Sequence, residues 1–218
     1  MNPDNVTLKI GIFGGTFDPI HLGHVHAAKT VQSELGLDQM NLVPSFIPVH
    51  RDKPQATSEQ RLAMIEMAVE GQLQCFVDNR EIERQGDSYS LLTVKEYREQ
   101  YPEANLYFIL GSDAMCQFNT WYHWQEILDY VNLIVLKRPG HELVLNEELT
   151  LFFSDKTADT ASDISHSSHG LMYISSEAMM LFSATEVRTA LSEGQVVGNM
   201  LSENVVSYIQ NHQLYENF

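Results

Sequence analysis

Short apolar runs recur along this chain, and most are closed by glycine or proline. Thr7 to Phe13 reads as a buried strand, because its centre, Ile10-Gly11-Ile12-Phe13, has no polar side, and Gly14-Gly15 ends it. Asn41 to Val43 is a second, stopped by Pro44. Cys75 to Val77 is a third, and Leu106 to Leu110 a fourth, closed by Gly111. Leu133 to Leu136 is a fifth, ended by Arg138-Pro139-Gly140, and Met172 to Ile174 the last. Between these runs the period changes. From Gly23 to Leu35 the apolar positions Val25, Ala28, Val31 and Leu35 recur at helical spacing, with Gly36 placed as a C-cap. Thr57 with Gln60, and Ser183 with Glu186, match capping boxes that open helices reaching Glu70 and Gly194. Ser90 is placed to cap a helix over 91–100. A short helix holds Trp124 to Leu128, and a C-terminal helix covers 203–212. Segment 45–57 carries Pro48 and Pro54 without periodicity and reads as a loop. Residues 141–169 are the least patterned: Leu149 to Phe153 can pack, whereas the polar stretch Thr157 to Ser168 is expected to be mobile.

Strands alternating with helices predict an α/β fold, a Rossmann-like doubly wound parallel sheet covered on both faces. The organisation expected is one domain over 1–218, with 141–169 as a variable insertion and 183–218 as a small C-terminal helical part. In such sheets ligands lie beyond the carboxyl ends of the strands. Several unusual residues fall there, after Phe13, Val43, Leu110, Leu136 and Ile174.

Composition narrows the function. The 218 residues suffice for one sizeable core. No run of 18 apolar residues occurs. Met1 to Lys9 lacks the layout of a signal peptide, so a cytoplasmic location is expected. Cys75 and Cys116 fit no metal or redox spacing. The net charge of −16 disfavours nucleic acid and anionic membranes as partners. It also repels nucleotide phosphates. A protein so charged must gather its cations at one place, or bring a metal ion, to bind them.

The stretch after the first strand, Gly14-Gly15-Thr16-Phe17-Asp18-Pro19-Ile20-His21-Leu22-Gly23-His24, offers such a place. Its glycines let backbone N–H groups approach an anion, and the helix start adds a positive dipole end. His21 and His24, three apart at a helix start, can point the same way. Gly23 between them leaves room for a nucleotide. A zinc site on His21, His24 and His26 would need further ligands, and no Cys or patterned carboxylate supplies them. No GxGxxG or GxxxxGK[ST] is present.

The run Gly15 to His24 resembles the signature of the nucleotidyltransferases related to class I aminoacyl-tRNA synthetases. Within them, the chain is similar to the bacterial nicotinate-nucleotide adenylyltransferases. The resemblance continues at Ile47-Pro48-Val49-His50-Arg51, Arg61 to Ile65, Ser88-Tyr89-Ser90-Leu91-Leu92-Thr93, Gly111-Ser112-Asp113, Trp121-Tyr122, Arg138-Pro139-Gly140 and Phe182 to Arg188. It covers nearly the whole chain except 141–169. The chain departs from the family's pattern at Val49, where a second proline is common, and at Ser90, where threonine is common.

The resemblance implies the nucleotidyltransferase fold and adenylyl transfer from ATP to nicotinate mononucleotide. It implies a site in which His21, His24 and Arg188 serve the reacting phosphates. Gly14, Gly15, Thr16, Phe17, Gly23, Gly111, Asp113, Arg138, Ser183 and Thr185 would bind ATP, and His50, Ser90, Trp121 and Tyr122 the nicotinate nucleotide. Mg²⁺ would be held mainly by substrate phosphates rather than by a protein site, with Asp18 and Asp113 as nearby candidates. Trp121 is weighed between ring stacking and core, and Trp124 is assigned to the core. Arg51 and Lys53 are either phosphate contacts or solvated, and Arg61 is read as a structural ion pair. A phosphopantetheine adenylyltransferase usually carries threonine where His21 stands. A nicotinamide-mononucleotide enzyme would act on the amide, and a synthetase fragment would need more length and basic surface. A nucleotide sensor would not need two imidazoles and an arginine around phosphates. The oligomeric state is left open.

Overall fold

The computed structural model describes residues 7–50, 52–137, 143–178 and 182–216. Among the described residues nine strands run in chain order: β1 (Lys9–Gly15), β2 (Gln39–Pro44), β3 (Ile47–Pro48), β4 (Cys75–Val77), β5 (Asp87–Ser88), β6 (Asn105–Gly111), β7 (Asn132–Lys137), β8 (Thr157–Ala158) and β9 (Met172–Ala178). The helices are α1 (Leu22–Leu35), α2 (Ser58–Val69), α3 (Arg80–Arg84), α4 (Ser90–Gln100), α5 (Ser112–Met115), α6 (Glu147–Phe153), α7 (Ala161–Ile164), α8 (Ala184–Ser192) and α9 (Glu203–Asn211). Two 3₁₀ turns cover Phe118–Thr120 and Trp124–Asp129.

Seven strands form one sheet in the order β4-β2-β1-β6-β7-β9-β8, and every adjacent pair is parallel. This is the doubly wound parallel sheet the strand–helix alternation predicts. The chain leaves β1 toward β2 on one side and returns to β6 on the other, so the switch point lies between β1 and β6. A crevice is expected beyond their carboxyl ends, at Gly15 and Gly111.

The strands are apolar on both sides because both sides are covered. In β6, Tyr107 and Ile109 face one core, and Leu106, Phe108 and Leu110 face the other. β7 repeats the alternation with Ile134 and Leu136 against Leu133 and Val135. The first core takes buried side chains from α1, α2, α8 and α9. The second takes them from α4, the 3₁₀ turns and α6. Gly36 caps α1 at φ +61°, a left-handed conformation that costs glycine little.

Four expectations need correction. The loop read over 45–57 contains β3, which pairs in parallel with β5 to make a separate two-stranded ribbon. Two residues per strand are too few to show periodicity. The polar stretch Thr157 to Ser168 is ordered: β8 adds to β9, and α7 is capped by Thr160, whose hydroxyl accepts from the Asp163 N–H. Asn105, Tyr107 and Asn132 further anchor it through the carbonyls of Ser165 and Ser167. The last strand runs on to Ala178. Finally, Ser90 is not a cap. Tyr89 is the N-cap of α4, and Ser90 is its first residue.

Candidate functional site

A cleft of about 610 Å³ opens at the switch point. One wall is the turn after β1. Gly15 sits under the Phe17 ring so closely that a β-carbon there would lie 2.9 Å from it. Phe17 itself holds φ +51°, a strained value for a side chain of that size, at the bend of the turn. Its ring meets His24 edge-on at 5.0 Å.

His21 is the N-cap residue of α1. Its ring stacks on that of His24 with centroids 3.7 Å apart. The His21 backbone N–H donates to Nδ1 of His24 at 3.3 Å. A neutral His24 ring accepting at Nδ1 carries its proton on Nε2, leaving that atom a donor. The local fold thus sets the tautomer. Phe182 closes the other side of His21 edge-on at 5.3 Å.

The opposite wall comes from α8. The Ser183 hydroxyl accepts from the Glu186 N–H, and the Glu186 carboxylate receives the Ser183 N–H, so the expected capping box forms. Arg188 stands in the second turn of α8, one turn later than expected. Its Nη1 donates to the Asp18 carbonyl at 2.8 Å and its Nη2 to the Thr185 hydroxyl at 3.3 Å.

Asp18 is fixed by structure rather than open to a metal. Its buried carboxylate accepts from the N–H groups of Gln55 and Ala56 and from the Tyr215 hydroxyl. Arg61 is structural, but through carbonyls rather than the expected ion pair. Fully buried, it donates to the carbonyls of Thr16 at 2.7 Å and Phe46 at 3.2 Å. Burial pulls its pKa down, and the Asp18 charge pushes it back up.

The far end of the cleft is aromatic. The rings of His50 and Trp121 face each other nearly in parallel, 6.0 Å apart. Phe108 and Phe118 support Trp121 from below. Tyr122 lies against Tyr89 at 4.7 Å. Trp124 is buried in the core, as expected.

The structure therefore brings His21, His24 and Arg188 to one cleft with Gly14, Gly15, Thr16 and Phe17. Gly111, Asp113, Ser183 and Thr185 line it as well, and so do His50, Ser90, Trp121 and Tyr122. Gly23 does not line it; it is buried in the first turn of α1. Arg138 and Arg51 lie outside the described residues. Glu81, Phe108 and Gln55 also line the cleft, and no sequence signal singled them out. Lys53 and Arg188 are the Lys and Arg side chains on its described surface, beside the carboxyl groups of Asp18, Asp52, Glu81 and Asp113.

Among the described residues, side-chain charge alone does not make this cleft attractive to phosphate. The backbone adds to it. The N-cap residues of α1, α4, α5 and α8 (His21, Tyr89, Gly111 and Ser183) all line it. The starts of these helices, with their positive dipole ends, face one space. Among the described residues, no group of three or more His, Cys, Asp or Glu is placed to hold a metal ion, and no helix is long and apolar enough to cross a membrane. Both cysteines are free, and burial pushes the Cys75 thiol up to about 11, so it is not a thiolate near neutrality.

Residues 12–190 match the family described as cytidylyltransferase-like. A protein of Shewanella frigidimarina (strain NCIMB 400) named "Probable nicotinate-nucleotide adenylyltransferase" is 35% identical over 210 residues, 95% of this chain and 100% of the relative. One of the same name from Salmonella gallinarum (strain 287/91 / NCTC 13346) is 36% identical over 206 residues, 94% of this chain and 97% of its own. Among solved structures, Plasmodium falciparum nicotinic acid mononucleotide adenylyltransferase complexed with NaAD superposes with a TM-score of 0.73 at 17% identity, over 95% of this chain and 97% of that one. At that identity the likeness is one of fold.

Proposed function

We propose, from the premise that this chain belongs to the cytidylyltransferase-like family and within it to the nicotinate-nucleotide adenylyltransferases, that it transfers the adenylyl group of ATP to nicotinate mononucleotide. The products are nicotinate adenine dinucleotide and pyrophosphate, a step of NAD biosynthesis. A cytoplasmic location belongs to the same proposal. The observation that carries the chemistry is the convergence of four helix starts on a stacked imidazole pair in one cleft.

The acceptor's 5′-phosphate oxygen attacks the α-phosphorus of ATP in line. The bond from that phosphorus to the bridging oxygen breaks, and pyrophosphate leaves with the electron pair. The nucleophile is already an anion, so no proton must be removed. Positioning and charge stabilisation then account for most of the catalysis. We assign His21 and His24 to the α-phosphate, where His24 Nε2 donates to oxygens that gather charge in the transition state. Arg188 takes the β- and γ-phosphates with the first turn of α8, helped by Ser183 and Thr185. Its bond to Asp18 goes to a neutral carbonyl acceptor, so an anion can compete for it. Gly14, Gly15, Thr16 and Phe17 present backbone to the nucleotide, Gly111 and Asp113 meet the adenosine, and Arg138 keeps the ATP role its motif implies.

The family generally uses a divalent metal, and we assign Mg²⁺ here. Both Asp18 oxygens already accept hydrogen bonds. The ion is therefore carried in on the ATP phosphates, where it would neutralise part of their charge.

At the aromatic end Trp121 stacks on the pyridine ring, flanked by His50. The N–H groups at Ser90 and Tyr122 receive the carboxylate, favoured by the positive end of α4. Shape cannot separate nicotinate from nicotinamide mononucleotide, so donor direction and charge must. A carboxamide turns its NH₂ toward a donor, and one buried donor left unpaired costs about 1–3 kcal/mol. At ~1.4 kcal/mol per factor of ten, with the lost charge-assisted bond added, kcat/KM for the acid is expected to exceed that for the amide at least roughly a hundredfold. The test is steady-state turnover of each mononucleotide with saturating Mg-ATP. Equal efficiencies would sink the carboxylate site.

A further inference from the structure

Glu81 is a buried carboxyl group that the adenylyl-transfer chemistry does not use. It projects from α3, is 7% exposed and lines the cleft. The Thr93 hydroxyl of α4 donates to its Oε1. The carboxyl group thus ties α3 to the first turns of α4. Arg84 approaches it at 3.9 Å while donating to Thr93 Oγ1 at 3.2 Å and to Glu96 at 2.7 Å. The guanidinium is placed to offset the carboxylate's charge.

We infer that Glu81 is a positioning residue for the pyridine half-site. It fixes the direction of the first-turn N–H groups of α4 through Thr93, and so sets the affinity for the mononucleotide without acting on ATP. The inference rests on the assignment of that half-site to nicotinate mononucleotide. The geometry argues for it on two grounds. Just before Thr93 lie Ser90 and Leu91, whose N–H groups stand at the start of α4 beyond the reach of the helix's own carbonyls, and their aim depends on what fixes Thr93 one turn on. A carboxyl group so near a carboxylate-binding site would also repel the ligand. Here it is engaged instead by the Thr93 hydroxyl and an adjacent guanidinium.

Steady-state kinetics on the full chain, varying Mg-ATP and nicotinate mononucleotide separately, test it. Glu81→Ala is expected to raise KM for the mononucleotide by about tenfold or more while KM for ATP moves less than about twofold. Glu81→Gln keeps an acceptor oxygen and is expected to recover most of the loss. If Glu81→Ala fails to fold, Thr93→Val cuts the same tie from the other side and should show the same split, more weakly. An unchanged mononucleotide KM, or equal rises in both KM values, would overturn the positioning role. Turnover of the unmodified chain is read first. If it made no dinucleotide from nicotinate mononucleotide, the functional reading would fall and this inference with it, whereas normal turnover with unsplit variants removes the inference alone.

Discussion

Tyr215 donates its hydroxyl hydrogen to the Asp18 carboxylate, 2.8 Å away and 197 positions earlier in the chain. Asp18 lies between the glycine turn and His21, and its second oxygen holds the N–H of Gln55. The C-terminal end of the chain therefore braces the loop that presents the imidazole pair. Tyr215→Phe removes one hydrogen bond to a buried carboxylate, about 2 kcal/mol. In a chain of this size that lowers Tm by roughly 4–8 °C. A differential scanning trace of the variant beside the parent checks it, and an unshifted Tm would show that Asp18 does not depend on the bond.

His24→Ala removes one donor to the reacting phosphate. The expected loss in kcat is roughly 10²- to 10³-fold, the usual size for a single transition-state donor. The melting curve should change little, because the ring borders the cleft. Normal turnover by the purified, folded variant would refute the assignment.

Metal removal is expected to separate activity from stability. EDTA should abolish turnover and leave the Tm of the nucleotide-free protein within about a degree, since a substrate-borne ion does not support the fold. A large fall in Tm would reveal a metal held by the protein itself.

Acid should weaken the fold partly through Asp78. Burial pushes its carboxyl up, but bonds from Arg80 at 2.9 Å and the Tyr97 hydroxyl at 2.6 Å outweigh that and hold the pKa below its ordinary value. A depressed folded value means the contribution is complete above the unfolded pKa of about 3.9 and disappears as pH falls through the folded one. Asp78→Asn should then cost about 1–3 kcal/mol in urea unfolding at neutral pH. The gap to the parent should narrow below about pH 4. A gap constant with pH would remove Asp78 from the account.

The legible parts of this molecule are those where a local rule fixes the outcome. The Thr57–Gln60 and Ser183–Glu186 boxes form where the residue types place them, because capping is decided within four residues. The main strands were legible from apolar runs that both faces of the sheet require. The expectation failed where the deciding contact lies far away in sequence. Asp18 looks like a candidate beside a metal until Tyr215 and the Ala56 N–H are seen to occupy it. Glu81 carries no signal, since Thr93 meets it from a separate helix 12 positions on. Thr157 to Ser168 reads as polar because it buries few apolar side chains, Ala158 and Ile164, and takes further order from side chains on β6 and β7 that bond its carbonyls.

The all-parallel strand order also sets a schedule for synthesis. In the main sheet no two neighbours are joined by a hairpin, so each pairing waits for a crossover to be made. β1 gains β2 once residue 44 has emerged, but its other neighbour is not complete until residue 111. Over that interval a nascent chain carries Ile10 to Phe13 as an open edge. α8 and Tyr215 arrive only after every strand of the sheet has been made. The ribosome delivers the phosphate-facing turn well before the parts that frame it.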